Sequence, residues 1–431
     1  MKARWLILFA ILVAGVFDAA NADESSPLTL HEAHEAALRN HPRIRVADLR
    51  ALAARQVARE VRSAFFPSLT ASVVAVGTAN DNTRLAAVGG LNNPSIFERN
   101  AEGLVLSQLI TDFGRTANLT GSAKLRAQAE ENNAEATREQ ILLSVDAAFY
   151  AAQEAQSVSR VAEQTISTRQ SFLDQVSALA SNKLRSELDV SFASVNLDEG
   201  KLLLSKAQND LQAAFAQLST FMGQREPTAW HLAEEPLPAE VSTNVSQFVE
   251  QALEQRPELL SLRREREAAL KFARAEKALR YPVISAVGSA GVVPIHDPQL
   301  PDNYAAAGVV LNLPLISGGL YSARQKEAEL RAQATMESLR DEENNIVRDV
   351  HIAWLNAQNS LERLHITAQL LQNAIRSLDL AQARYNNGAS SIVELNQAQL
   401  NRISAEIAYA NTKYEYLLQR SALNFQTGAL R

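Results

Sequence analysis

The chain offers few residues that could do bond-making chemistry. It has 431 residues with seven histidines, three methionines and no cysteine. His31 and His34 stand three apart, the spacing of two ligands on one helix face. No further Cys, His or carboxylate motif accompanies them, so they read as a solvated helix surface. With so little sulfur, a dedicated soft-metal path has no support. There is no G-x-x-x-x-G-K-[S/T] loop and no nucleophile motif. The expectation is a protein that is not an enzyme and needs no cofactor. The stretch that stands out is conformational, "ARYNNGASSIVELNQAQL" at 383–400. Between Leu320 and Thr427 there is no proline and a single glycine, Gly388. The Asn386-Asn387-Gly388 break is the turn of a long helical hairpin, because glycine adopts a positive φ at no steric cost.

That turn belongs to a chain written twice. "LRAQA" occurs at 125–129 and again at 330–334, an offset of 205 residues. At the same offset Ile141, Val145, Ala148 and Ala152 fall on Ile346, Val350, Ala353 and Ala357. Phe149 falls on Trp354, Gly114 on Gly319 and Gly223 on Gly428. Upstream, "ALRNHP" (37–42) matches "ALEQRP" (252–257) at an offset of 215. The boundaries read as a first copy over 23–223, a proline-bearing joint over 224–244 and a second copy over 245–431. Each copy has a helical stretch ending near a proline, two short alternating segments and a long proline-free region (115–222; 320–427).

The long regions carry helix periodicity. Ile346, Val350, Ala353, Ala357, Leu361, Leu364, Ala368, Leu371, Ile375 and Leu378 step by three and four. Ile403, Ile407, Ala410, Tyr414 and Leu417 continue beyond the turn. The pattern is close to a coiled-coil seam with small residues that let helices approach. Leu320 to Asn387 would make roughly 100 Å of helix at 1.5 Å per residue. A globular core needs no such length; a hairpin reaching across a periplasm does. In the first copy the turn falls at Asn182-Lys183-Leu184, with Lys183 where Gly388 would stand.

The alternating segments 67–76, 101–110, 282–291 and 303–314 read as strands. Leu104 and Leu106 match Val309 and Leu311 on one face, and Ser107 matches Asn312 on the other. About ten residues with a two-residue period suit a tilted strand across a bilayer. Four strands cannot close a barrel, and a membrane permits no open edge. If they span, several chains share one barrel. Two chains give eight strands, filled by their own side chains; three give twelve, with room for a lumen.

The ends and the composition agree with export. Lys2 and Arg4 precede the apolar run Trp5–Phe17, and Ala20-Asn21-Ala22 follows, which reads as a signal peptide (1–22) cut after Ala22. An N-terminal membrane anchor is the alternative, for which the run is short. Net charge is −6, giving no electrostatic case for nucleic acid. No internal segment has 18 continuous apolar residues, and no cysteine is present to carry a lipid.

With these features the sequence resembles the TolC family of outer-membrane efflux and export channels. The resemblance covers nearly all of the mature chain. It rests on the duplicated plan, on "FFPSL" and "LRYPVISA" before the strands, on "QLITDFGR" and "LPLISGGL" after them, and on the stretch at 383–400. It implies a mostly α fold with a small β part. Duplicated helical hairpins form a trimeric helical barrel, and four strands per chain contribute to a shared 12-stranded transmembrane barrel. It implies a homotrimer in outer-membrane lipid of a Gram-negative bacterium, working with a periplasmic adaptor (membrane fusion protein) and an inner-membrane pump of RND or ABC type. It also implies roles for residues at the periplasmic tips. Tyr385 matches the family's gate tyrosine and Asp189 its carboxylate partner. The gate arginine falls on Ser390, and Arg185 occupies the equivalent place in the first copy. Of two acidic ring positions, one is Glu394 and the other is Gln397. Adaptor docking falls on Lys183, Leu184, Asn387, Gly388 and Ala389. The bland reading of Asp189 and Glu394 is that of acids at helix N-termini. The other function considered is a periplasmic coiled-coil adaptor or scaffold, which normally carries one hairpin rather than two.

Overall fold

The computed structural model describes residues 27–76, 99–295 and 301–430. The expected signal peptide and most of both strand-connecting loops lie outside the described residues. The chain runs through α1 (Leu30–Asn40), α2 (Pro42–Ser63), β1 (Ser68–Val76), β2 (Arg99–Thr111), α3 (Arg115–Ser181) and α4 (Glu187–Phe221). The same order then recurs as α5 (Val245–Gln255), α6 (Pro257–Lys277), β3 (Val283–Ile295), β4 (Asn303–Asn312), α7 (Leu320–Asn386) and α8 (Ile392–Gln426).

Proline sets the first break in each half. Pro42 and Pro257 stand in the first turn of α2 and α6, where a missing N–H costs nothing. Each pushes the residue before it to extended backbone. His41 (φ −72°, ψ 122°) and Arg256 (φ −62°, ψ 124°) therefore end one helix and start the next. The long helices α3 and α7 have 67 residues each, and α4 and α8 have 35 each. At 1.5 Å per residue these are helices of roughly 100 and 50 Å. Each shorter partner lies along the distal half of its long helix. Beside the proximal halves lie α2, tied to α3 by Arg138–Asp48 (2.6 Å), and α6, tied to α3 by Ser122 Oγ donating to the Ala268 carbonyl (2.8 Å). No helix among the described residues is long and apolar enough to cross a membrane.

The seam forms largely where periodicity places it, with Ile346, Val350, Ala353, Ala357 and Leu364 buried. Farther down it moves by one residue: Ala374 is buried, and Ile375 is 37% exposed. The main core sits at mid-height, where Ile141, Val145, Phe149, Phe215, Leu218, Tyr414 and Leu417 pack against Ala33 and Ala37 of α1. His34 differs from the solvated reading. Its Nε2 meets the carboxylate of fully buried Asp146, while His31 stays exposed beside Glu35. No cluster of three metal-ligating side chains occurs among the described residues.

The strands form one antiparallel sheet in the order β1-β2-β3-β4, so β1 and β4 are its edges. Directly opposed residues share a face. Leu69, Leu104, Leu106, Ile284, Val309 and Leu311 fall on one face. Ser68, Thr70, Ser72, Ser107, Ser285, Ser289 and Asn312 fall on the other. One face carries the leucines, interrupted by Glu102 and Gln108, and the opposite one is rich in hydroxyls interspersed with valines.

Candidate functional site: the hairpin tips

The two tips are built alike. Asn182 caps α3 by donating from Nδ2 to the Ala178 carbonyl (2.8 Å), and Asn387 caps α7 by donating to that of Ala383 (2.9 Å). The Leu184 N–H closes the first turn on the Leu179 carbonyl (2.9 Å), and the Ala389 N–H closes the second on that of Arg384 (2.8 Å). Both closures need a left-handed residue. Gly388 supplies it at φ 69°, and Lys183 supplies it at φ 57° against the steric preference of its Cβ. Lys183, Leu184, Asn387, Gly388 and Ala389 are all exposed.

Between the tips lies a small apolar cluster around Tyr385, which is only 3% exposed. Its ring meets Phe172 of α3 at 5.8 Å between centroids and packs among Val176, Ala381, Ile392 and Leu395. Arg185, from the turn of the other hairpin, lies over that ring with its guanidinium carbon 4.3 Å from the centroid. Its Nη2 also donates to the Tyr385 carbonyl at 3.1 Å. One arginine thus joins the two hairpins through stacking and a charged hydrogen bond.

The structure does not form the bond from the Tyr385 phenol to the Asp189 carboxylate. The Tyr385 hydroxyl is buried without a hydrogen-bond partner. Asp189 turns back on its own helix. Its Oδ2 accepts the Ser186 N–H at 3.2 Å while its N–H donates to Ser186 Oγ at 3.2 Å, a capping box. A bond three residues away closes no loop, whereas a bond to Tyr385 must hold two hairpins together. Burial raises the Tyr385 pKa; the Arg185 charge opposes that rise and the Asp189 charge adds to it. The phenol therefore stays protonated and remains a donor.

Ser390 lies in the second turn with its Oγ buried and unpartnered, so it makes no side-chain hydrogen bond across the tips. Glu394 is the third residue of α8, its N–H donating to the cap Ser391 Oγ at 3.4 Å. Its carboxylate stands 3.6 Å from Arg384 Nε, both side chains being about half exposed. Gln397 donates to Asn401 along α8 at 2.9 Å, and it shares with Glu394 and Arg384 a groove between α7 and α8. Two partners, Phe172 and Arg384, were not among the residues expected from sequence. Arg384 was open to detection, since it faces Glu394 across a short turn. Phe172 was not, because its contact joins positions far apart in the chain.

This architecture has counterparts among known proteins. The outer membrane efflux protein family matches residues 33–224 and 248–429. The chain belongs to that family. Outer membrane protein TolC of Escherichia coli strain K12 is 22% identical over 445 residues, covering 100% of this chain and 87% of that protein. Outer membrane protein OprJ of Pseudomonas aeruginosa is 25% identical over 380 residues, covering 86% and 78%. Among solved structures, the outer-membrane channel OprN superposes with a TM-score of 0.77 at 21% identity, covering 93% of this chain and 90% of that one. As a member of the outer membrane efflux proteins, the chain is an outer-membrane channel component of a Gram-negative envelope. The adaptor or scaffold alternative is set aside. The relatives are channel proteins, not enzymes.

Proposed function

We propose that three copies of this chain close one passive conduit, a twelve-stranded barrel in the outer membrane continued into the periplasm by a barrel of helical hairpins. The observation that carries this reading is the open sheet: β1 and β4 are edges, and one face carries the large aliphatic side chains, interrupted by Glu102 and Gln108. Hydrocarbon leaves no partner for an edge N–H, so β4 of one copy must pair with β1 of the next. The hydroxyl-rich face then lines the lumen. Leu188, Val195 and Leu202 form an exposed row along α4, each seven residues from the last, and Ile352, Leu355, Ile366 and Leu370 are exposed on α7. Neighbouring hairpins in a closed ring would cover these side chains.

In this reading the tips are the periplasmic mouth. The Arg185–Tyr385 contact holds the two hairpins of each copy together, and a periplasmic adaptor docking on the exposed turns draws them apart. An inner-membrane pump of RND or ABC type supplies cargo and energy. Three copies of Glu394 form an acidic ring whose charge Arg384 partly offsets.

Cysteine cross-linking tests the assembly, because the natural chain has no cysteine to confuse it. A scan of single cysteines along β1 against Val310→Cys on β4 should give disulfide-linked dimers and trimers in mild detergent. A scan yielding monomers at every pairing would sink the shared barrel.

A further inference from the structure

The geometry points to Tyr304 as the residue that sets the aperture of the channel's outer mouth, laid flat on the lumen wall by a notch of two glycines. The inference rests on the channel reading above. In register, Gly103 of β2 opposes Gly291 of β3, which opposes Tyr304 of β4, so all three stand side by side on the hydroxyl-rich face. A Cβ on Gly103 would overlap the Tyr304 hydroxyl and stand 3.1 Å from its Cζ. A Cβ on Gly291 would overlap the Glu102 carbonyl of the neighbouring strand, meet the Gly103 Cα at 2.7 Å and stand 2.8 Å from the same hydroxyl. Adjacent strands lie about 4.8 Å apart. A side chain that starts on β4 and ends over β2 must therefore lie nearly parallel to the sheet. Glycine within a strand commonly marks such a close approach, and here it leaves the groove that accepts the ring.

Position gives the contact its consequence. Tyr304 is the second residue of β4, at the end of the sheet away from the helices and beside the strand-connecting loops. It is the only aromatic residue in the four described strands. Its own row holds Ser72, Gly103 and Gly291, and the flanking rows on the same face hold nothing larger than Val74 and Val105. The lumen wall at this level is thus smooth except for one large side chain, held down. A rotamer that stood the ring away from the wall would carry its hydroxyl roughly 6 Å into the lumen from each copy. The glycine notch, not the tyrosine alone, keeps the mouth wide.

The test is single-channel conductance of the full-length protein in planar bilayers. Gly103→Ala fills the notch: its Cβ overlaps the far end of the Tyr304 side chain and stands 3.0 Å from the Ala290 carbonyl, which a shift of a few tenths of an ångström relieves, so the sheet should survive while the ring is lifted. Conductance should fall about twofold. Tyr304→Ala should conduct at least as well as wild type. The double variant Gly103→Ala with Tyr304→Ala should match Tyr304→Ala. Unchanged conductance in Gly103→Ala, or an equal fall in the Tyr304→Ala background, would overturn the inference. A second readout does not depend on current. Ala306→Cys should react with a hydrophilic thiol reagent, and Gly103→Ala should slow that reaction. An unreactive Ala306→Cys would place this face away from water and refute the assignment of Tyr304. A wild-type protein that forms no pores would instead count against the channel reading, while the labelling rates still decide the role of Tyr304.

Discussion

Arg185→Ala should unlatch the periplasmic mouth. The side chain makes two contacts across the hairpins, a stack at 4.3 Å over Tyr385 and a 3.1 Å hydrogen bond to its carbonyl. A cation over an aromatic face contributes about 0.5–1 kcal/mol at a site open to water. A hydrogen bond from a charged group contributes about 1.5–3 kcal/mol. Arg185 is half-buried, so the lower ends apply and the pair is worth about 2 kcal/mol per copy. Three copies give about 6 kcal/mol, enough to move a closed–open equilibrium by roughly four powers of ten. In planar bilayers Arg185→Ala should raise conductance, and in cells it should admit a large antibiotic that the wild type excludes. Arg185→Lys should fall between, since an ammonium keeps the charge but loses the planar fork and the stack. Tyr385→Phe should stay close to wild type, because the hydroxyl it removes has no hydrogen-bond partner. The reasoning fails if Arg185→Ala conducts like wild type. It also fails if Tyr385→Phe leaks as much as Arg185→Ala, which would return the latch to the phenol.

Glu394 and Arg384 should act in opposite directions on ion selectivity: Glu394→Gln lowers the preference for cations, and Arg384→Gln raises it by freeing the carboxylate. Reversal potentials in a salt gradient decide this, and no change in either variant would reduce Glu394 to a helix-terminal acid. The two left-handed tip residues should respond in opposite senses as well. Lys183→Gly removes a strained Cβ and should stabilise its tip by about 1 kcal/mol. A Cβ at Gly388 meets no neighbouring atom within 4 Å, yet Gly388→Val should cost about 1–2 kcal/mol through its backbone and weaken adaptor binding. Hydrogen exchange at the two turns would report both, and matching rates in variants and wild type would count against the strain argument.

What the sequence disclosed was local or periodic. The long helices, the strand alternation and the turn at Gly388 each follow from neighbours a few residues apart, and all formed. The seam moved from Ile375 to Ala374 because an α-helix drifts against a fixed three-and-four step over many turns. The bond between Tyr385 and Asp189 was plausible by residue type, but a serine three residues before an aspartate also spells a cap, and the nearer partner prevailed. Arg185 over Tyr385 joins positions 200 apart. Asp146 beneath His34 joins positions 112 apart. No periodicity announces either contact, since both depend on how separate helices meet.

Duplication explains why the contact between the tips is one-sided. At the offset of 205, Ser186 corresponds to Ser391, Asp189 to Glu394 and Arg185 to Ser390. Both copies keep the serine cap, so both turns are fastened to their own helices. They differ in where the cation stands. In the second copy Arg384 precedes the turn, and Glu394 is near enough to engage it. In the first copy Arg185 follows the turn, and the local acid is already spent on the capping box. That leaves Arg185 free to reach the neighbouring hairpin. With Ser390 in the corresponding place of the second copy, one tip donates and the other presents a ring and a carbonyl. Parting the hairpins then breaks the Arg185 contacts and the packing of Phe172 on Tyr385, while the caps hold each turn to its own helix.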